Sequence, residues 1–411
     1  MRAECMAGQK VGVATLASQP SRGGVTIDLR VTPFNSIYAP PSPAPRACLN
    51  GIRELTRPDI PQVAELHREV MGTAASMSPA LLEQYRAWFG SVFLDVPMYS
   101  PGLESLVYEE DGEIVAFLGV VARQVTVGGQ VYRGSCASNF CIRATHRGRL
   151  GMRIAREYLS RSSDLAFIDE LVDRPRRLWD HLGMQTMPQS VRWTLPLRPA
   201  QHVLSIVGIR SRHAQNAVLR APAKLVDAVA GAVPRNPFRY GSSTLTETTL
   251  TGDGLSELLR EFGTDEVLRP VTTDGSARWL LERARSMTQH GELHAVGLRG
   301  VTGDIVGWFV YYARAGMPCE VMQLVATPAA AGAVLEHLAV HARTRGVLSL
   351  TGTLDWRFLS PLSAHWAVLS PTPIETRWMM VHSAHREVLE AFWRNNVLLS
   401  RLDGEWFQHF P

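Results

Sequence analysis

The stretch DGEIVAFLGVVAR at Asp111 to Arg123 returns as TGDIVGWFVYYAR at Thr302 to Arg314, in register, without a gap and 191 residues on. An internal repeat limits what a chain can fold into more tightly than any composition figure, because segments that share one pattern share one structural role. Each copy opens on a glycine turn and continues as an apolar run. That is a hairpin signature, since glycine supplies the positive φ that a two-residue turn needs. A chain of 411 residues is too long for one ordinary core, and the spacing fits two halves.

The flanking segments extend the repeat to whole halves. Organised sequence begins at GIRELTRPDIPQVAELHREVMG, a strand and then a helix entered through Thr56 and Asp59, with Val63, Leu66 and Val70 on its apolar face. A second helix, PALLEQYRAWFGSVF, precedes the first copy. After it come the strand VYRGSCASNFCIRAT, the helix RLGMRIAREYLSRS, the strand DLAFIDELVD, the helix RPRRLWDHLGM closed by Gly183, and the strand SVRWTLPL. The second half repeats the plan with STLTETTL, GLSELLREFG, the second copy, CEVMQLVAT, AAGAVLEHLAVHARTRG and VLSLTGTLD. Strands alternating with helices around a meander predict a mixed α/β sheet rather than an all-β sandwich. The expected segmentation is a flexible Pro-, Gly- and Ser-rich extension over 1–48, a first domain over 49–198, a helical connector over 199–245 and a second domain over 246–411. The connector reads as two apolar-periodic segments broken by Pro222, expected to pack against the domains rather than on a membrane.

Composition narrows the class. With 45% hydrophobic and 19% charged residues the chain has enough apolar material to fold as a globular protein. Its net charge is +4, and Lys10 and Lys224 are the only lysines among the cations. No stripe of basic and aromatic residues accompanies that charge, so no nucleic-acid partner is expected. The cysteines Cys5, Cys48, Cys136, Cys141 and Cys319 are odd in number and lack CxxC spacing, so neither a disulfide framework nor a metal site is expected. A cytoplasmic location follows as the expectation. No run of eighteen apolar residues occurs and MRAECMAGQK has no apolar core, so no membrane partner and no signal peptide are expected.

In this order the segments resemble the GNAT superfamily of CoA-dependent N-acetyltransferases. IRELTRPDIPQVAELHREV resembles that family's opening strand and helix, DGEIVAFLGVVAR its central hairpin, IRATHRGRLGMRIAREYL its CoA-binding strand, loop and helix, and RRLWDHLGM its closing helix. The match spans about residues 51–196, and the second half resembles the same fold more faintly. The resemblance implies two tandem GNAT-like domains, each a mixed, mostly antiparallel twisted sheet flanked by helices. It also implies acetyl-CoA or another acyl-CoA as co-substrate, and an amine acceptor, either a small molecule or a peptide. Cofactor contacts are expected at Ile142, Arg143, Ala144, Arg147, Gly148, Arg149, Leu150, Gly151 and Met152. In strict register Leu150 and Met152 take the family's glycine or alanine positions, while Gly148 and Gly151 fall one place out.

The loop has a physical reading independent of the family. A helix N-terminus offers unpaired N–H groups and partial positive charge to a pyrophosphate, and Arg143, Arg147, Arg149, Arg153 and Arg156 crowd the same junction. The counterpart VATPAAAGAVLEHL has no cation in its loop, so one cofactor site is expected, in the first half. Acyl transfer to an amine needs a base for the amine and a proton for the leaving thiolate. The family's strand carboxylate and tyrosine are replaced here by Asn139 and Trp179, which leaves Asp169 and Asp173 at a strand end as catalytic candidates, with Asn139 beside them. Glu170 stands with them at the same strand end, and Tyr132 and His146 lie further off in that reading. Asp403, Glu405 and Trp406 form either a turn with an aromatic anchor or an acidic rim for a cationic acceptor. The alternative function is a non-catalytic ligand-binding or interaction protein on the same fold. An aminoacyl-tRNA-dependent transferase would share the duplication but would want a basic groove.

Overall fold

The structure, a computed structural model, describes residues 50–406 except 72–76, 163, 211–216, 235, 242, 274 and 371–376. The extension expected over 1–48 lies outside the described residues. The first half runs β1 (Gly51–Glu54), α1 (Ile60–Met71), α2 (Pro79–Phe93), β2 (Leu106–Glu110), β3 (Glu113–Ala122), β4 (Val125–Val127), β5 (Gln130–Tyr132) and β6 (Gly134–Ile142). It continues through α3 (Arg149–Arg161), β7 (Leu165–Leu171), α4 (Asp173–His181), β8 (Gln185–Thr186) and β9 (Arg192–Pro196). Two helices follow, α5 (Pro199–Arg210) and α6 (Ala217–Ala232). The second half comprises β10 (Thr246–Thr249), α7 (Gly252–Glu261), β11 (Arg269–Pro270), α8 (Ser276–Ser286), β12 (Glu292–Arg299), β13 (Ile305–Ala313) and β14 (Pro318–Ala326). It closes with α9 (Ala331–Thr344), β15 (Ser349–Thr353), α10 (Leu359–Ala364), β16 (Val368–Ser370), β17 (Trp378–His382) and α11 (Arg386–Trp393).

Two seven-stranded sheets result, ordered β1-β2-β3-β6-β7-β17-β8 and β10-β12-β13-β14-β15-β9-β16. Each is antiparallel except for one parallel pair, β6 with β7 and β14 with β15. The repeated stretches are β3 and β13, third in their respective sheets. Ile114 to Ala122 are all buried because α1 and α2 cover one face of β3 while α3 and α4 cover the other. A strand buried on both faces reads as a continuous apolar run, which is why this segment preserves its pattern in both halves. The first turn is the expected two-residue one, with Asp111 at φ 51° and Gly112 at 83°. The second is longer, spanning Gly300 to Asp304, whose ends are joined by the Gly300 N–H to Asp304 carbonyl bond.

The sheets exchange a strand. β17, from the end of the chain, lies between β7 and β8, with Met380 opposite Ile168 on one side and Thr186 on the other. β9 lies reciprocally between β15 and β16, Trp193 facing Gly352 and Leu369. A small third sheet, β11-β4-β5, ties the second half to a hairpin inserted between β3 and β6.

The connector departs from expectation in two respects. Pro222 lies inside α6 instead of separating two helices. The helix also packs through small and polar residues, Ala223 and Asp227 being buried while Leu225, Val226 and Val229 are exposed. Asp227 is drawn inward because it accepts the Ala200 N–H (2.8 Å) and Gln201 N–H (3.1 Å) at the start of α5.

Candidate active site

β6 and β7 run side by side only from Gly134 opposite Leu165 to Cys136 opposite Phe167. Beyond that pair β6 continues to Ile142 and β7 to Leu171 with no ladder between them, so the sheet opens there. A bulge sits in β6 at this opening. Gly119 pairs with Ser138 and Phe117 with Cys141, which leaves Asn139 and Phe140 together opposite Leu118, and Asn139 takes φ 49°. The bulge turns the Asn139 side chain toward α1, where its Oδ1 meets His67 Nε2 at 2.9 Å, and His67 Nδ1 bonds the Tyr85 hydroxyl. His67 and Tyr85 are therefore part of the Asn139 environment. The sequence signals neither, because their contact with Asn139 spans two helices and a strand.

At the end of β6 the chain makes a short turn at Ala144–His146 and enters α3 through Gly148. Gly148 holds φ 102°, ψ −110°, a conformation closed to residues with a Cβ. The turn presents Arg147, Gly148 and Arg149 to solvent, with Leu150 and Gly151 buried beneath and Ile142, Ala144 and Met152 at their edge. Arg143 is drawn aside by Glu113 (2.7 Å) and Glu69 (3.5 Å). Among the described residues no carboxylate lies within ion-pair distance of Arg147, Arg149 or Arg156, and Arg153 rests over the Tyr108 ring at 5.4 Å. Two exposed arginines thus flank the first N–H groups of a 13-residue helix, chemistry suited to a phosphate ester. His146 is tied to Glu110 at 2.7 Å.

The C-terminal end of β7 meets the tail of the chain. Asp169 Oδ1 accepts the Glu405 N–H at 2.6 Å, and Glu405 Oε1 accepts the Glu170 N–H at 3.4 Å. Glu170 pairs with Arg377 at 2.9 Å and with the buried Arg401, which also reaches Glu320 at 2.8 Å. Burial, reinforced by the Asp169 charge, pushes the Glu405 carboxyl well above the usual range, and burial raises Asp403 despite Arg123 beside it. Burial likewise brings Arg401 down to about 10. The Asp169 carboxylate lies beside Glu405 at the end of β7, and its charge adds to burial in favouring the protonated form of Glu405. The tail is thus an internal part of the site, with Trp406 packed on Tyr312 and His290, rather than a rim.

Asp173 opens α4, where its carboxylate accepts the Trp378 indole N–H at 2.5 Å. Trp179 is buried against Phe140 and Tyr158. Tyr158 donates to the Ser135 carbonyl at 3.0 Å, and burial drives its pKa far up. Cys136 and Cys141 are buried, and burial raises the Cys141 thiol strongly. Tyr132 stands on the inserted hairpin, before β6 begins, bonded to Glu387 at 2.6 Å, which raises its hydroxyl to about 12.

The second half repeats the geometry with different contents. β14 and β15 pair only from Pro318 to Glu320, and a bulge at Met322 follows. Here the chain's own segment before the tail fills the opening: the Arg401 N–H donates to the Met322 carbonyl (3.2 Å) and Gln323 Nε2 to the Leu398 carbonyl (3.2 Å). The space that remains among Met322, Gln323, Leu354 and Leu398 is about 50 Å³. The turn before α9 is Thr327-Pro328-Ala329-Ala330, without a cation.

Among the described residues no group of three or more His, Cys, Asp or Glu could hold a metal ion, and no helix is long and apolar enough to cross a membrane. No protein-family model matches the chain, and no curated protein matches its sequence. Solved structures do. A conserved protein from Enterococcus faecalis V583, designated "Probable N-Acyltransferase", superposes with a TM-score of 0.52 at 12% identity, over 80% of this chain and 71% of that one. A GCN5-related N-acetyltransferase from Anabaena variabilis gives 0.52 at 11% identity, with the same coverage of both chains.

Proposed function

We propose that this chain, which has the fold of the GCN5-related N-acetyltransferases, is an N-acyltransferase that moves an acyl group, acetyl in the first instance, from acyl-CoA to an amine. The observation that carries the reading is the junction at the end of β6, where an opened sheet meets a helix N-terminus flanked by Arg147 and Arg149 with no carboxylate partner among the described residues. The residues fit CoA there. Arg147 and Arg149 would take the pyrophosphate with the first N–H groups of α3, and Ile142, Arg143 and Ala144 would lead the pantetheine arm along β6. Ser135, Cys136, Ala137 and Ser138 keep that strand slender.

In the transfer the amine nitrogen bonds to the thioester carbon as the carbon–sulfur bond breaks, the nitrogen loses a proton and the thiolate gains one. The bulge at Asn139 lies beside the opening between β6 and β7. His67 holds the Asn139 side chain and positions the bulge. Asp169 with Glu405 would accept the amine proton, and the Glu405 carboxyl, raised by burial, is suited to hold and return one. Asp173 is engaged by Trp378 and serves as the comparison residue. The acceptor is a small-molecule or peptide amine.

The test is titration calorimetry with acetyl-CoA, followed by thiol release with a panel of amines. Affinity in the micromolar range is expected, about −8 kcal/mol. Each charged hydrogen bond contributes about 1.5–3 kcal/mol, so Arg147→Glu or Arg149→Glu should weaken binding by about tenfold or more. No heat with any CoA ester would overturn the reading. Binding without thiol release from any amine would remove the catalytic part of it.

A further inference from the structure

α6 is turned inside out. Ala223, Asp227 and Gly231 recur every four residues and form its inner stripe, Ala223 being 6% and Asp227 4% exposed, with Gly231 set against the Arg343 guanidinium. Residues two positions on lie about 200° round the helix. They are Leu225, Val229 and Val233, which together with Val226 face solvent, Leu225 at 67% and Val226 and Val229 at 56%. On α5, Val203 and Val207 are exposed as well, one turn apart. Single exposed apolar residues are ordinary, but six on one hairpin that buries an aspartate instead are not.

Charge identifies the surface that this face fits. Residues 199–245 carry six cations and a single acid, a balance of +5, against +4 for the entire chain. The acid is Asp227, consumed inside the hairpin by the α5 N-terminus. The chain's net positive charge therefore resides in this connector, with Lys224 exposed directly beside Leu225. A second copy seated face to face would set like charges against each other. An apolar helix face with Lys224 exposed beside it, on a segment of net charge +5 whose single acid is buried, complements a surface that is apolar within and anionic at its boundary.

We propose that the α5–α6 hairpin docks the protein on an anionic lipid surface, with Leu225, Val226, Val229 and Val233 entering the headgroup layer. The sequence alone favoured packing against the domains. The hairpin does pack, through its inner stripe of small residues and Asp227, and this leaves its larger apolar residues pointing the other way.

Flotation of the full-length protein with vesicles tests this. Protein should rise with mixed phosphatidylcholine–phosphatidylglycerol vesicles, stay behind with phosphatidylcholine alone, and release as salt is raised. Leu225→Glu combined with Val229→Glu should lower the bound fraction at least about tenfold. Both positions are exposed, so the thermal melting curve of the double variant should match that of the parent. Lys224→Glu should weaken binding to the anionic vesicles by a smaller factor. Absence of flotation with anionic vesicles, or flotation untouched by the double variant, would overturn the proposal. Light scattering that finds a dimer abolished by the double variant, with no flotation, would assign the face to a second copy instead.

Discussion

Gly404 has no room for a side chain: a Cβ built on it would lie 1.9 Å from Asp169 Oδ2, and that carboxylate is already held by the Glu405 N–H. Gly404→Ala should therefore push the tail off β7, at a cost of about 1–3 kcal/mol. A lowered melting temperature together with reduced acyl transfer is expected, and a variant with unchanged melting would dissociate the tail from the site. A second residue-scale prediction concerns acid. His341 bonds Tyr311 in the second-half core, and burial, aided by Arg345, lowers its pKa from 6.5 to about 4. The unfolded chain then binds the proton more readily, so stability should fall as pH drops from about 6.5 toward 4, by up to about 3 kcal/mol. Glu405 and Asp403, raised by burial, act in the opposite sense over an overlapping range, because acid neutralises carboxyls that are costly to bury charged. Comparing urea denaturation of His341→Gln with the parent across this range isolates the histidine. Equal slopes would show that it titrates normally. Asp169 could be noticed in the sequence as an acid at a strand end. Its contact with Glu405 lies 236 residues away and leaves no local pattern.

At the scale of elements, the two halves differ where their sheets open. α3 starts at Gly148 between two exposed arginines, whereas α9 starts among alanines behind an opening that the chain's own Leu398 to Arg401 occupies. One CoA per chain should bind, and Ala329→Arg should leave the stoichiometry at one, because the obstruction is the tail and not only the missing charge. Calorimetry reads this directly, and a second equivalent site in the variant would refute it. Elements of this kind were largely legible in the sequence. The repeated hairpin, the strand-turn-helix junction at Gly148 and the order of strands and helices are local patterns of period 2 or 3.6, written by adjacent residues. α6 was misread for a physical reason: its apolar periodicity is genuine, but one buried aspartate needed by the neighbouring helix decides which face turns inward.

For the whole molecule, the exchange of β9 and β17 matters most, and sequence patterning could not disclose it. A buried strand carries the same alternation whichever sheet receives it, so Trp378–His382 reads alike beside β7 or beside β15. The exchange makes each sheet's hydrogen bonds depend on the other half of the chain. Between the sheets, Arg401 joins Glu170 of β7 to Glu320 of β14, and Arg192 of β9 pairs with the same Glu320. Separate unfolding of the halves would leave strand edges and buried charges unpaired, each broken buried ion pair costing about 3–5 kcal/mol. The halves should therefore open together. Hydrogen exchange should give peptides from β3 and from β13 the same opening free energy. Met380→Asp, placed in β17 where Met380 is fully buried between β7 and β8, should lower both values equally. Loss of protection confined to the β3 sheet would show instead that the exchanged strands join two domains that fold on their own.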